Sequence, residues 1–331
     1  MNAPILAING LEIEIQKKTR PVSPVRGVSF SVGKGEAVCL VGESGSGKTV
    51  SALAVMGLLP HPPFRVKSGS IFFEGVELTS LRRREISRMR GRRMSMVFQE
   101  PMTALNPVFT IGYQIKEGIA AHERLSSGQL HGRALEMLGQ VGMPEPEYGL
   151  KAYPHELSGG LRQRAMLAIA LAARPVFLIA DEPTTSLDVS LQARILKLLS
   201  NLRSERGLAL LVITHNLGIV AQVAQRVVIM YAGKIVEDAP VLDIFDAPLH
   251  PYTRGLLESI PYSAGQGGVE CSEKCRLRSI PGNIPPLDAI PRGCPFQDRC
   301  REAMDVCRTV DPVDINVGKS RIVACHLYGS L

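Results

Sequence analysis

Tryptophan is absent from the 331 residues, and Phe and Tyr alone make up an aromatic content of 5%. A protein that stacks successive bases of single-stranded nucleic acid needs a ring platform that this sequence does not supply. Long apolar runs are missing as well. The continuous stretches end at lengths such as Leu208 to Ile213, well short of the ~18 residues needed to cross a bilayer, so no transmembrane span is expected. The opening MNAPILAING has no basic cluster before its few apolar residues, unlike a secretory signal, and the chain is expected to stay in the cytosol. No internal repeat is present, which predicts one copy of the main unit. Cysteine is missing between Cys39 and Cys271, whereas six of the seven fall in the last 61 residues.

What is there is ordinary for a soluble globular chain: 45% hydrophobic residues, 21% charged residues, 31 Gly and 23 Pro. The length allows one large domain, or a medium domain with a smaller second one. Lys and Arg number 38 against 31 Asp and Glu, giving a net charge of +7. That balance suits nucleotide phosphates, nucleic acid or an anionic membrane surface and selects none of them. The bursts AVCLVG (37–42), VFLIAD (176–181) and ALLVIT (209–214) are each followed by longer segments with helical spacing. Continuous apolar strands alternating with helices predict a mostly parallel sheet covered on both faces. The clustered cysteines mark a second unit, and the Gly/Ser/Gln-rich stretch at 263–268 reads as a connector, with a boundary near 265.

Gly42-Glu43-Ser44-Gly45-Ser46-Gly47-Lys48-Thr49 fits the spacing G-x-x-x-x-G-K-[ST] between the strand-like AVCLV and the helix-like TVSALAVMGLL. Glycines at 42, 45 and 47 let backbone N–H groups turn onto phosphate oxygens, together with Ser44, and the helix that follows presents its positive end. Lys48 reaches the β/γ-phosphates and Thr49 offers a hydroxyl to Mg²⁺. A second apolar strand ends in Asp181-Glu182. Asp181 is placed to hold Mg²⁺ through water, and Glu182 to polarise the water that attacks the γ-phosphate.

Leu157-Ser158-Gly159-Gly160-Leu161-Arg162-Gln163-Arg164 lies shortly before that second strand. With it the sequence resembles the ABC transporter ATPases, whose LSGGQ signature opens a helix toward a phosphate. The expected fold class is accordingly α/β, a P-loop NTPase of ABC ATPase type with a helical signature subdomain over 1–264. A small Cys-rich C-terminal domain over 265–331 is expected beside it. Ser158, Gly159 and Gly160 form another anion-binding helix start, on a segment separate from the first loop. The resemblance resolves this with a head-to-tail pair of ATPase subunits, each ATP lying between one subunit's phosphate loop and the other's signature. It also implies catalytic or Mg²⁺ roles for Gln99 in MVFQEP, a contributing Ser186-Leu187-Asp188 segment, and a catalytic His215 in ITHN.

FQEPMTALNP, ADEPTTSLD, HPYTRGLL and IPGNIPPL followed by GCPFQDRC resemble the dipeptide and oligopeptide importer ATPases over nearly the whole chain. That resemblance implies a bacterial importer whose ATP-hydrolysing subunit sits peripherally on the cytoplasmic face of the inner membrane. It would pair with a similar ATPase, as a heterodimer, on two integral membrane permeases fed by an external solute-binding protein. Nucleic acid is not an expected partner, although soluble ABC proteins acting on DNA or ribosomes are the rival class. Nickel, glutathione and opine importers share the ATPase type. Glu100 to Pro107 is the candidate permease contact. Three positions depart from the usual pattern: Ile15 where an adenine-stacking aromatic is common, Leu161 where many have Gln, and Ser186 where Ala is frequent. Adenine stacking is therefore weaker or supplied elsewhere.

LRRREISRMRGRR (81–93) sets seven arginines against one glutamate, either as a solvated helix face or as a contact for anionic headgroups. Cys294-x5-Cys300-x6-Cys307-x17-Cys325 offers four thiols in a chain expected to be cytosolic, where lasting disulfides are disfavoured. Zinc sites usually show tighter C-x2-C knuckles, and the spacing also differs from ferredoxin runs. The resemblance selects a [4Fe–4S] cluster, because a subset of peptide importer ATPases carries this set. Cys271 and Cys275 are an unassigned C-x3-C pair, and Cys39 reads as a buried small hydrophobe.

Overall fold

The computed structural model describes residues 3–18, 20–184, 188–259, 279–318 and 320–329. The boundary near 265, the connector at 263–268, Cys271, Cys275, Ser186 and Leu187 lie outside the described residues.

The chain begins with two long strands, β1 (Leu6–Ile15) and β2 (Val22–Val32). Next come β3 (Ala37–Val41) and helix α1 (Lys48–Val55), then β4 (Phe64–Phe73) and β5 (Val76–Glu77). β2, β1, β4 and β5 pair in that order as a four-stranded antiparallel sheet. Helix α2 (Arg83–Met89) leads to β6 (Met94–Val97). A helical block follows: α3 (Pro101–Ala104), α4 (Ile111–Ala120), α5 (Ser127–Gln140), α6 (Pro146–Lys151) and α7 (Gly159–Ala172). The chain then alternates through β7 (Phe177–Asp181), α8 (Val189–Arg206), β8 (Ala209–Thr214), α9 (Leu217–Val223) and β9 (Arg226–Tyr231). It closes with β10 (Lys234–Pro240), α10 (Val241–Asp246), α11 (Pro251–Glu258), β11 (Ile315–Asn316) and β12 (Ile322–Val323).

The second sheet has the order β11-β12-β10-β9-β3-β8-β7-β6, parallel from β9 to β6. Its strands show why the apolar runs are continuous. In β3, Val38 and Leu40 face a core shared with the antiparallel sheet, while Ala37, Cys39 and Val41 face a core shared with the helices. β7 divides in the same way, Phe177 and Ile179 to one side and Leu178 and Ala180 to the other. A strand buried on both faces has no use for alternation. The fold agrees with the parallel-sheet reading and with a helical subdomain between β6 and β7.

Two expectations are corrected. The run TVSALAVMGLL suggests a helix reaching Leu59, but α1 ends at Val55, because Gly57 turns with φ of 60° and the Leu58 N–H bonds back to Leu53. The Cys-rich C-terminal segment does not form a separate core. β12 pairs with β10 of the main sheet, and Cys294, Phe296 and Cys307 are buried in the helix-side core. Cys39 is buried as expected, and burial pushes its thiol up to about 12. The basic run is partly structural. Arg90 donates to the Met56 and Gly57 carbonyls at 2.7 and 2.8 Å, satisfying acceptors at the end of α1, and Arg93 pairs with Glu74.

Candidate nucleotide site

The phosphate loop runs from the end of β3 to the start of α1. Gly47 caps the helix with φ of 100°, a conformation that disfavours residues with a Cβ. A Cβ there would also collide with the Pro24 carbonyl, and one at Gly42 with the Met230 carbonyl. These glycines are fixed by close backbone approach. Lys48 Nζ donates to the Gly42 and Glu43 carbonyls, both at 2.8 Å, and to Ser46 Oγ at 3.2 Å. It is thereby aimed into the concave side of the loop. Burial lowers its pKa, opposed by the nearby carboxylates of Glu182, Asp181 and Glu43. Ser44 and Gly45 are exposed at the loop tip.

Asp181 ends β7, alongside β8 and close to the start of α1. Burial raises its carboxyl pKa, opposed by a hydrogen bond from Thr49 and the charge of Lys48. Its Oδ1 is buried with no hydrogen-bond partner in the protein. A buried carboxylate oxygen left over beside a threonine hydroxyl fits a Mg²⁺ site. Glu182 follows in the left-handed region with φ of 46°, its N–H bonded to the Ile213 carbonyl. Gln99, past the end of β6, donates from Nε2 to Glu182 Oε2 at 3.3 Å. His215, past the end of β8, places Nδ1 2.8 Å from Glu182 Oε1. Three adjacent strands thus bring the three expected catalytic residues together, with Gln99 and His215 both meeting the Glu182 carboxylate. Gln99 turns its amide to Glu182 rather than to Asp181.

Ser158 caps α7 by accepting the Leu161 N–H, and Ser158 and Gly159 are exposed, with Gly160 in the first turn behind them. An uncovered helix start carries free N–H groups and a positive dipole end. Asp188 caps α8 in the same manner and bonds Ser190. Sequence reasoning did not single out Gln163, which is buried and donates to the Pro183 carbonyl at 2.8 Å, tying the signature helix to the residue after Glu182. It also missed Arg299 and Tyr252, which hold Glu43 of the phosphate loop. Only Glu43's place inside the motif could have pointed to them. Ile15, at the end of β1, is partly buried between Val22 and Phe64 of the flanking strands.

The four C-terminal cysteines share one neighbourhood. The Cys294 N–H donates to the Cys307 carbonyl at 2.8 Å, and a Cβ at Gly293 would strike that carbonyl. Burial pushes the Cys294 thiol up to about 12, and the neighbouring Cys307, Cys325 and Cys300 add to it. Among the described residues, however, no group of three or more His, Cys, Asp or Glu side chains is arranged to hold a metal ion. The donor type fits a thiolate-bound centre, while the expected [4Fe–4S] arrangement of Cys294, Cys300, Cys307 and Cys325 is not formed. Among the described residues, no helix is long and apolar enough to cross a membrane.

Residues 25–185 match the ABC transporter family, and residues 236–307 match the C-terminal region of oligopeptide/dipeptide transporters. The chain is 46% identical to the oligopeptide transport ATP-binding protein AppD of Bacillus subtilis, over 98% of this chain and 97% of that protein. It is 42% identical to the dipeptide transport ATP-binding protein DppD of Escherichia coli, over 97% and 96% of the two chains. Its fold matches a dimeric ATP-binding cassette, MJ0796, bound to ADP and phosphate, with a TM-score of 0.66 at 24% identity over 71% of this chain and 98% of that one.

Proposed function

Because the chain belongs to the ATP-binding subunits of oligopeptide and dipeptide ABC transporters, we propose that the site described above hydrolyses ATP to drive peptide import. The chain is an ABC-type ATPase of a peptide importer, peripheral at the cytoplasmic face of the bacterial inner membrane. The carrying observation is the convergence of Gln99 and His215 on Glu182, beside a phosphate loop whose Lys48 is already aimed inward.

In this reading Gly42, Ser44, Gly45 and Gly47 cradle the triphosphate, and Lys48 neutralises charge on its outer phosphates. Thr49 and Asp181, with Gln99, would hold Mg²⁺, which neutralises charge between the β- and γ-phosphates. Glu182 orients the attacking water and accepts its proton. His215 holds the carboxylate in place and reports on the γ-phosphate. Ser158, Gly159 and Gly160 serve the partner subunit's nucleotide, so two subunits close on two ATP molecules; closure turns the permeases outward, and hydrolysis reopens them. The partner ATPase is a similar but distinct chain.

The Glu100–Pro107 segment meets a permease. Supporting this, Met102 within the segment and Val108, Phe109 and Tyr113 just after it are exposed, with Val108 68% accessible, and the Phe109 and Tyr113 rings stack at 4.5 Å. Exposed apolar side chains close together along the chain suit a protein contact, and α3 within this segment lies against α7, the signature helix. An external binding protein delivers the peptide. Residues 1–264 act as the ATPase domain and residues 265–331 as a cysteine unit, in which Cys294, Cys300, Cys307 and Cys325 would hold a [4Fe–4S] cluster. The set of four thiols supports the cluster, although among the described residues they are not arranged as its ligands.

A transporter reconstituted in liposomes tests the reading. ATP hydrolysis should depend on peptide-loaded binding protein and on Glu182. Nickel, glutathione or an opine stimulating turnover where peptides do not would overturn the assigned cargo.

A further inference from the structure

Glu43, the second residue of the phosphate loop, is held at three points. Its carbonyl accepts from Lys48 Nζ at 2.8 Å, and its N–H donates to the buried Tyr252 hydroxyl at 2.9 Å. Its carboxylate receives Arg299 Nη1, at 3.0 Å to one oxygen and 2.9 Å to the other. Arg299 is itself fixed. Its Nε donates to the Pro281 carbonyl at 2.8 Å, and its guanidinium lies 5.7 Å from the Tyr231 ring centre and 5.9 Å from that of Phe296. The side chain is 8% exposed. Ile284, from the same C-terminal segment, is the nearest group to the space beside Gly45.

We infer that Arg299 is a positioning residue for nucleotide binding: it fixes and neutralises Glu43, so that the turn presenting Lys48 accepts a triphosphate. This inference rests on the ATPase reading. The reasoning is electrostatic as well as geometric. A carboxylate inside a phosphate-binding loop repels the ligand unless a cation screens it, and in a half-buried place that repulsion is poorly damped by water. Arg299, 256 residues away in sequence, supplies the cation in a geometry set by its contacts with Pro281, Tyr231 and Phe296. Its guanidinium donates to Glu43, to the Pro281 carbonyl and to the Tyr231 hydroxyl, and it acts on the phosphate loop through Glu43. The C-terminal segment is thereby part of the nucleotide site.

The test is a double-substitution cycle on the full-length chain, with the dissociation constant for ATP measured in the presence of Mg²⁺ and the melting temperature recorded alongside. Arg299→Met should weaken binding about tenfold, since it leaves Glu43 unscreened. The double variant Arg299→Met/Glu43→Gln should recover from the Arg299→Met loss to about the level of Glu43→Gln alone. An arginine that only holds the fold would lower the melting temperature and leave the ATP affinity of the folded chain unchanged. If Arg299→Met does not fold, Arg299→Lys is carried through the same cycle, with a smaller loss and the same rescue expected. Wild-type affinity in the arginine variant, or losses that add in the double variant, overturn the inference. Failure of the wild-type chain to bind ATP at all would instead overturn the ATPase reading.

Discussion

His215 Nδ1 lies 2.8 Å from Glu182 Oε1, while Gln99 reaches the other oxygen of the same carboxylate at 3.3 Å. The carboxylate is therefore gripped by residues past the ends of β6 and β8, the two strands that flank β7, and its position depends on both. Binding and chemistry separate at this point. Lys48→Ala should abolish ATP binding, because it removes the cation of the loop. Glu182→Gln should keep binding and lower turnover about 10²- to 10⁴-fold, the usual contribution of a general base. Equilibrium binding and single-turnover rates on the assembled transporter distinguish the two, and near wild-type turnover in Glu182→Gln would remove it from the catalytic role.

On the shared-site reading, the exposed start of α7 serves the nucleotide of a partner subunit. Isolated subunit should consequently bind ATP yet hydrolyse it poorly, with specific activity rising as protein concentration or assembly increases. Gly159→Asp places a negative charge at that helix start and should abolish turnover while leaving ATP binding to the isolated chain intact. Transporter-level hydrolysis by demonstrably monomeric protein would sink the shared site.

For the cysteine unit, anaerobically purified protein should be brown and contain about four irons per chain, as a [4Fe–4S] centre requires. Replacing Cys294, Cys300, Cys307 or Cys325 by Ser should strip or destabilise the iron, and Cys39→Ser should not, since Cys39 is buried alone in β3. One zinc and no iron under anaerobic handling would replace the cluster with a thiolate-bound structural ion.

His250 gives a pH dependence whose sign is fixed by burial. Its Nδ1 accepts the Tyr252 N–H at 3.0 Å and caps α11, which requires a neutral ring, and burial, aided by the charge of Arg254, pushes its pKa down to about 3. Above the unfolded value near 6.5 both states are neutral. As the pH falls below that value, the unfolded chain takes up a proton that the folded chain refuses, so stability is lost down to about pH 3, at ~1.4 kcal/mol per unit at most. His250→Asn keeps a capping acceptor and loses the titration. Urea denaturation at pH 7 and pH 5 should show a smaller loss for this variant by about 2 kcal/mol, and equal losses would exclude His250 as the source.

Much of the site was legible because its chemistry is local. The Gly42–Thr49 loop, Asp181-Glu182 and Ser158–Gly160 each act through consecutive residues, and continuous apolar stretches mark doubly covered strands. What escaped the sequence depends on distant pairing. Arg299 meets Glu43, and Gln163 meets Pro183, through tertiary placement that no local spacing encodes. β11 and β12 span two residues each, too few for any period to register. The length of α1 was overread because Gly57 sits within an otherwise helix-like run.

β10 carries β9 along one side and β12 along the other, with Glu237 opposite Val323 and Asp238 opposite Ile322, and the Ala324 N–H reaches the Val236 carbonyl at 2.9 Å. Residues near the C-terminus therefore close an open edge. Cutting the chain ahead of residue 315 would bare the hydrogen-bonding ladder of β10, a template for strands of other molecules. A shortened version would be sticky as well as lacking Cys325, precipitating in proportion to its concentration. The tail acts as a hem that keeps the sheet from fraying into its neighbours.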